Sequence, residues 1–246
     1  MCQTAALSIQ FGLSIRSLSQ YLSALGLHGN TLVMQSFELL SPLIDRSTKV
    51  SENEMYKTTD YLRNGVLYLN NLLRPQHKKL STLMIYSTTK CQSRCKHCSI
   101  WQKPEEHLSL RDIQKIMASR CITQNTVVGL EGGEFILHPE STAIMEWFMH
   151  HHPNYTLLSN CLNPQKVIDA VRRYNPRHLY VSLDGDRDTY KVMRGCNGHD
   201  KVIEVVEALK DEVPISLMFC LSPWNTFKDM DYVIGVARKY KVDVRI

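Results

Sequence analysis

Residues 82–98 read TLMIYSTTKCQSRCKHC, a short apolar run followed at once by three cysteines. The apolar run is typical of a β-strand. Cys91, Cys95 and Cys98 have the spacing C-x3-C-x2-C, which places three thiols within eight residues. Because the cysteines follow the strand directly, we expect them in a loop at its end, where their thiolates can converge on one metal centre.

From residue 81 onward, short strand-like runs alternate with longer helical patterns, which is typical of βαβ units around a parallel sheet. We expect strands near residues 82–89, 126–131, 155–159, 178–183, 215–221 and 242–246, and helices near 109–119, 140–151, 164–174, 199–211 and 226–240. The sequence ends at Ile246, inside the sixth strand. We therefore expect an open α/β fold with an incomplete sixth unit, as in a C-terminally truncated fragment.

Polar and apolar residues alternate along two of these strands. In residues 178–184, the polar His178, Ser182 and Asp184 alternate with leucine and valine, and residues 215–222 show the same pattern. A strand that is buried on both faces normally has a continuous apolar run. The alternation predicts that one face meets helices while the other lines a polar cavity, as in an open barrel that holds a ligand.

The first 78 residues show no recognisable motif. Leu18, Leu22 and Leu25 fall on one helical face, and a second helical pattern runs from Tyr61 to Leu73. We expect a helical N-terminal extension over residues 1–78, followed by a core domain over residues 79–246.

Composition and charge narrow the possible functions. The net charge of +5 is mild, and without a basic run it does not indicate a nucleic-acid partner. No apolar stretch approaches the length of a membrane span, and the first charge is Arg16, so neither a membrane segment nor a signal peptide is expected. We expect a cytoplasmic protein whose eight cysteines are thiols or metal ligands.

The cysteine spacing alone leaves three kinds of site open. A structural zinc site needs four ligands, and His97, next to Cys98, is a poor candidate for the fourth. Three cysteines leave an iron–sulfur cubane one protein ligand short of four, and such an open iron is a catalytic arrangement. An iron–sulfur cluster is favoured over zinc and over an incidental or redox-active group of thiols.

The sequence resembles the radical S-adenosylmethionine (SAM) superfamily at this loop and at further blocks in the expected order. These blocks are Gly132-Gly133-Glu134 after the second strand, Val181–Gly185 after the fourth, and Arg194-Gly195. The last two blocks are similar to the peptide-modifying and cofactor-maturing branch. The resemblance covers residues 80–246 and implies a partial (β/α)6 TIM-like barrel. The chain departs from the pattern at Phe135, where the family commonly has proline.

The resemblance implies a [4Fe–4S] cluster on Cys91, Cys95 and Cys98, whose fourth iron binds the amino and carboxylate groups of SAM. One electron would then cleave SAM into methionine and a 5′-deoxyadenosyl radical, which takes hydrogen from a substrate. The implied partners are SAM, an electron donor such as a flavodoxin or ferredoxin, and a peptide or cofactor precursor as substrate. The rival hypothesis is a non-catalytic iron–sulfur or zinc binding module derived from such an enzyme.

The resemblance also implies contacts with SAM. Glu134 would receive the methionine ammonium, because a carboxylate complements that charge. Arg194 would pair with the carboxylate and Ser182 with the ribose or carboxylate, while Asp184 would either join them or cap a turn. The full set of candidate cofactor-binding residues is His97, Gly132, Gly133, Glu134, Ser159, Asn160, Ser182, Asp184 and Arg194. The sequence does not identify a catalytic residue.

Overall fold

The computed structural model describes residues 58–246, and the chain divides into two units, Met1–Leu73 and Arg74–Ile246. In the first unit, helix α1 spans Thr58–Leu73. The leucine pattern expected to form a helix near residues 18–25 lies outside the described residues. The expected extension over residues 1–78 therefore stays a prediction.

The second unit contains one six-stranded sheet whose strands lie in chain order, each parallel to its neighbours. The strands are β1 Thr82–Thr88, β2 Val127–Gly132, β3 Tyr155–Ser159, β4 His178–Ser182, β5 Ile215–Met218 and β6 Asp243–Arg245. Because β1 and β6 are the two edges, the sheet is open. The expected α/β fold, an open partial barrel with six parallel strands, is confirmed.

Six α-helices follow the strands in the second unit. They are α2 Leu110–Met117, α3 Ser141–His151, α4 Pro164–Tyr174, α5 Arg187–Arg194, α6 His199–Leu209 and α7 Phe227–Tyr240. Side-chain caps fix where several begin: the Ser109 side chain accepts a hydrogen bond from the Asp112 backbone N–H, and Asn163 accepts one from Lys166. All five expected helices are present within two residues of their predicted bounds.

Helix α5 was not expected from the sequence, and the candidate Arg194 is its last residue. The helix begins because the Asp186 side chain accepts hydrogen bonds from two N–H groups of the first turn, and it ends at Gly195, which has a φ of +68°. Its surface is polar, and its buried residues are Tyr190, Met193 and the charged Arg194, so few apolar residues mark the buried face.

The expected fifth strand, residues 215–221, is too long. β5 ends at Met218. The N–H of Phe219 still donates to the Arg245 carbonyl, but the next N–H, of Cys220, donates to the side chain of Asp184. A side-chain acceptor on the preceding β-α connection thus replaces the neighbouring strand and turns the chain away from the sheet.

The two faces of the sheet differ in character. On one face, Ile85, Leu130, Leu157, Leu179 and Leu217 join the helices in a single buried hydrophobic core. We call the other face the open face; strand register places there Met84, Tyr86, Gly129, Glu131, Thr156, Leu158, His178, Tyr180, Ser182, Ser216, Met218, Asp243 and Arg245. The alternation of polar and apolar residues in the sequence predicted this division.

Candidate functional site

The candidate residues come from the carboxyl ends of four neighbouring strands. The cysteine loop follows β1, the glycine pair ends β2, Ser159 and Asn160 end β3, and Ser182 ends β4. In open parallel sheets this edge is where ligands bind. The fold therefore brings together residues that lie up to about a hundred positions apart in the sequence.

Backbone hydrogen bonds join the glycine pair to the start of the cysteine loop. The N–H of Gly133 donates to the Thr88 carbonyl at 2.7 Å, and the N–H of Glu134 donates to the Lys90 carbonyl at 2.8 Å. Gly132 has a φ of +141°, and a Cβ there would lie 2.4 Å from the Thr88 carbonyl oxygen. Only glycine allows the two backbones to approach this closely.

The carboxylate of Glu134 is buried and accepts two hydrogen bonds from the end of β3. Ser159 Oγ donates to Oε1 at 2.9 Å, and the Asn160 N–H donates to Oε2 at 2.7 Å. Burial raises the pKa of Glu134 to about 7, although these hydrogen bonds favour the charged form. A carboxylate has about four acceptor positions, so this group can still receive a cationic ligand.

Asn160 connects this carboxylate to the cysteine loop. Its Nδ2 donates to Ser93 Oγ at 3.2 Å and contacts Cys91 Sγ at 3.8 Å, while its Oδ1 accepts from Gln92 Nε2 at 3.2 Å. Because Asn160 is buried, these bonds are shielded from water. The sequence identified Asn160 as a candidate but gave no indication of Ser93 or Gln92.

Arg194 joins the other side of the cysteine loop to the end of β4. Its Nε donates to Asp184 Oδ2 at 2.5 Å, and its Nη1 lies 3.7 Å from Cys95 Sγ. The Arg194 carbonyl accepts from the N–H of Arg94 at 3.0 Å. Burial opposes the guanidinium charge, but the charge and hydrogen bond of Asp184, together with the charges of Cys95 and Tyr190, raise the pKa of Arg194. Arg194 thus ties helix α5 to the loop.

Asp184 is satisfied on both oxygens, since Oδ1 accepts from the Cys220 N–H at 2.9 Å. Its backbone carbonyl accepts from Nδ2 of Asn225, a buried residue that also donates to the Cys220 carbonyl. Asn225 therefore joins the ends of β4 and β5. Asn225 could not be predicted from the sequence, because a single asparagine in a loop carries no distinctive signal.

Ser182 and His97 stand apart from these networks. Ser182 is buried at the end of β4 and makes no hydrogen bond to the other candidates within the described part of the chain. His97 lies at the surface of the cysteine loop, and partial desolvation together with the charge of Arg194 lowers its pKa. Contacts between these residues and SAM stay predictions.

The three loop thiols are close enough to influence one another. Burial raises the pKa of Cys91 and Cys95, the charge of Arg194 opposes this at Cys95, and charge on Cys98 raises the pKa of both. Within residues 58–246, however, no three histidine, cysteine or acidic side chains are already arranged as a metal-binding group. The donor set of three free thiols fits a cluster with one open iron.

Residues 85–234 match the Radical SAM superfamily, which is more than half of the chain. The chain therefore belongs to the radical SAM superfamily. Its members are enzymes that use a [4Fe–4S] cluster and SAM, and these are the cofactors of this protein. Membership favours the enzyme hypothesis over a non-catalytic metal-binding module.

Solved structures share the fold. Streptococcus suis SuiB bound to the precursor peptide SuiA is 15% identical with a TM-score of 0.57, and the match covers 87% of this chain and 51% of SuiB. The structure of SuiB bound to SAM is 14% identical with a TM-score of 0.57, and the match covers 85% of this chain and 50% of SuiB. Native anSMEcpe with bound AdoMet and the Cp18Cys peptide is 16% identical with a TM-score of 0.52, over 68% of this chain and 50% of anSMEcpe.

The chain spans about half the length of these proteins. At such low identity, the likeness establishes the fold alone.

No curated protein matches the sequence. Among the helices of residues 58–246, none has the length and apolar character that crossing a membrane requires.

Proposed function

We propose that Cys91, Cys95 and Cys98 hold the cluster and that Glu134 binds the methionine ammonium of SAM. The observation that carries this proposal is the network that joins the Glu134 carboxylate, through Asn160, to the cysteine loop. This network fixes an acceptor for a cation beside the thiols. When bound, the cluster supplies the electron that cleaves SAM into methionine and a 5′-deoxyadenosyl radical.

The remaining residues position these groups. Gly132 and Gly133 allow the end of β2 to approach the start of the cysteine loop closely, which holds Glu134 beside the thiols. Arg194 supplies positive charge next to Cys95, which favours the thiolate needed for ligation. Ser182 faces the open side of β4, from which it would reach the ribose or carboxylate of SAM.

For the substrate, we propose a peptide from which the radical takes a hydrogen atom. Two proteins that share the fold support this choice. SuiB was solved with its precursor peptide, and anSMEcpe was solved with a peptide. The proposal includes a small electron-transfer protein, such as a flavodoxin or ferredoxin, as reductant and the cytoplasm as compartment.

The cysteine assignment can be tested by anaerobic reconstitution with iron and sulfide. Wild-type protein should retain about four iron per chain and form 5′-deoxyadenosine when reduced in the presence of SAM. Cys95→Ala should lose most of the iron, whereas Cys121→Ala, which changes an exposed thiol outside the loop, should match the wild type. Stoichiometric zinc with no uptake of iron would contradict the proposal.

A further inference from the structure

A second carboxylate, Glu131, lies three residues before Glu134 on the open face of the sheet. It is paired across β1 and β2 with Tyr86. Glu131 is only 7% exposed, whereas Tyr86 is 63% exposed. The two side chains form a hydrogen bond, so a tyrosine at the surface covers a buried acidic group.

The charge of Glu131 has no cationic partner among the described residues. Burial raises its pKa, and the only opposing influence is the hydrogen bond from Tyr86. Glu134 differs, because a hydroxyl and a backbone N–H already donate to its two oxygens. A buried carboxylate without a counter-charge is costly, and a bound cation would remove that cost.

Gly129, on the same face, allows the side chains of Glu131 and Met84 to pack close to the strand. A Cβ at position 129 would lie 3.3 Å from Glu131 Oε1 and 2.7 Å from Met84 Sδ. Both contacts are tighter than ordinary van der Waals separation. The missing side chain therefore lets Glu131 and Met84 lie over the strand.

The pair is also close to the cysteine loop. Charge on Cys98 contributes to the raised pKa of Tyr86. Glu131 itself is followed directly by the glycine pair that contacts this loop. A ligand held by Glu131 would thus lie beside the position proposed for SAM, on the open face where a substrate can approach.

We propose that Glu131, held in place by Tyr86, binds an ammonium or guanidinium group of the substrate, such as a lysine or arginine side chain of a peptide. This inference rests on the proposed function, because it assigns the substrate contact of the same site. The ammonium of SAM is assigned to Glu134, so the two carboxylates bind different cations.

The probes for this site are Nα-acetyl-lysine N-methylamide, which keeps the side-chain ammonium, and its neutral counterpart Nα-acetyl-norleucine N-methylamide. Both are titrated into the reconstituted full chain with and without SAM. The wild type should bind the lysine probe about ten-fold more tightly or better. Glu131→Gln preserves shape and a hydrogen bond to Tyr86, and it should abolish this preference. Glu207→Gln, at an exposed position on helix α6, is the matched control and should keep it.

Equal affinity of the wild type for both probes, or a lysine preference that survives Glu131→Gln, would overturn the inference. A loss of SAM affinity in Glu131→Gln would also overturn it, because the bound cation would then be that of SAM. Failure of the wild type to bind SAM or to form 5′-deoxyadenosine would instead contradict the proposed function. The titration without SAM separates that failure from the failure of the Glu131 site.

Discussion

Replacing Gly133 by alanine should displace the cysteine loop. A Cβ at this position would lie 2.3 Å from the Lys90 carbonyl oxygen and 2.8 Å from that of Thr89. Non-bonded heavy atoms are most stable near 3.5 Å, so the two backbones must separate by roughly 1 Å. Because both partners are backbone atoms, no change of rotamer can relieve the overlap.

The separation acts on two hydrogen bonds at once. The Gly133 N–H bond to Thr88 and the Glu134 N–H bond to Lys90 each contribute about 1 kcal/mol. Their loss, together with the remaining steric strain, should lower the free energy of unfolding by about 2–3 kcal/mol. The same movement separates Glu134 from the cysteine loop, so iron retention and SAM affinity should fall as well.

Urea unfolding of the apo protein and iron content after anaerobic reconstitution would measure the two effects. The matched control is Gly235→Ala in helix α7, where an added Cβ meets no atom within 4 Å. Alanine inside a helix is more favourable than glycine, so this control should gain up to about 1 kcal/mol and keep its iron. The reasoning is refuted if Gly133→Ala unfolds like the wild type and retains a full complement of iron.

Three other substitutions test the charges in the molecule. Because the pKa of Glu134 is about 7, the affinity for SAM should increase between about pH 6 and 7.5 as the carboxylate ionises. In an equilibrium titration, Glu134→Gln should bind SAM about ten-fold more weakly and should no longer show this pH dependence. Burial lowers the pKa of His178 to about 3, below its unfolded value near 6.5, so between these two pH values the unfolded chain binds a proton that the folded chain does not. The free energy of unfolding should therefore fall by about 1 kcal/mol for each pH unit as the pH drops from about 6.5 to about 3. In His178→Gln, the midpoint of urea unfolding should fall less over the same pH range. Asp184→Asn leaves the Arg194 guanidinium buried without its counter-charge and should cost about 3 kcal/mol in urea unfolding, while an unchanged midpoint would show that solvent or another group replaces the aspartate.

Local patterns in the sequence were sufficient for most of the fold. The strands are short apolar or alternating runs, and the helices between them have a longer apolar period, so six strands and five helices could be located from their own residues. Helix α5 was missed because its exposed face is charged and its buried face consists of few residues. Its strongest local signal, the capping Asp186, identifies only where a helix can begin.

The site was predictable in its members but not in its connections. The cysteine spacing and the glycine pair are local motifs, and both predicted a site at this edge of the sheet. The bond from Asn160 to Ser93 and the contact of Arg194 with Cys95 join distant parts of the chain, so no local pattern records them. The role of Arg194 in holding the loop became visible only with helix α5, which brings its carbonyl and guanidinium to the loop together.

In the stretch Glu131-Gly132-Gly133-Glu134, each of the two carboxylates is proposed to bind a different cation. Strand geometry places Glu131 on the open face beside Tyr86, and the glycine turn then redirects the backbone so that Glu134 meets the end of β3. Donors from Ser159 and Asn160 fix Glu134 in one orientation, whereas, in the described part of the chain, the only hydrogen bond that favours the charged form of Glu131 comes from Tyr86. Both carboxylates are buried, and a buried charge is costly unless it is neutralised. A site that receives SAM at one carboxylate and a cationic substrate group at the other meets that requirement when both ligands are bound.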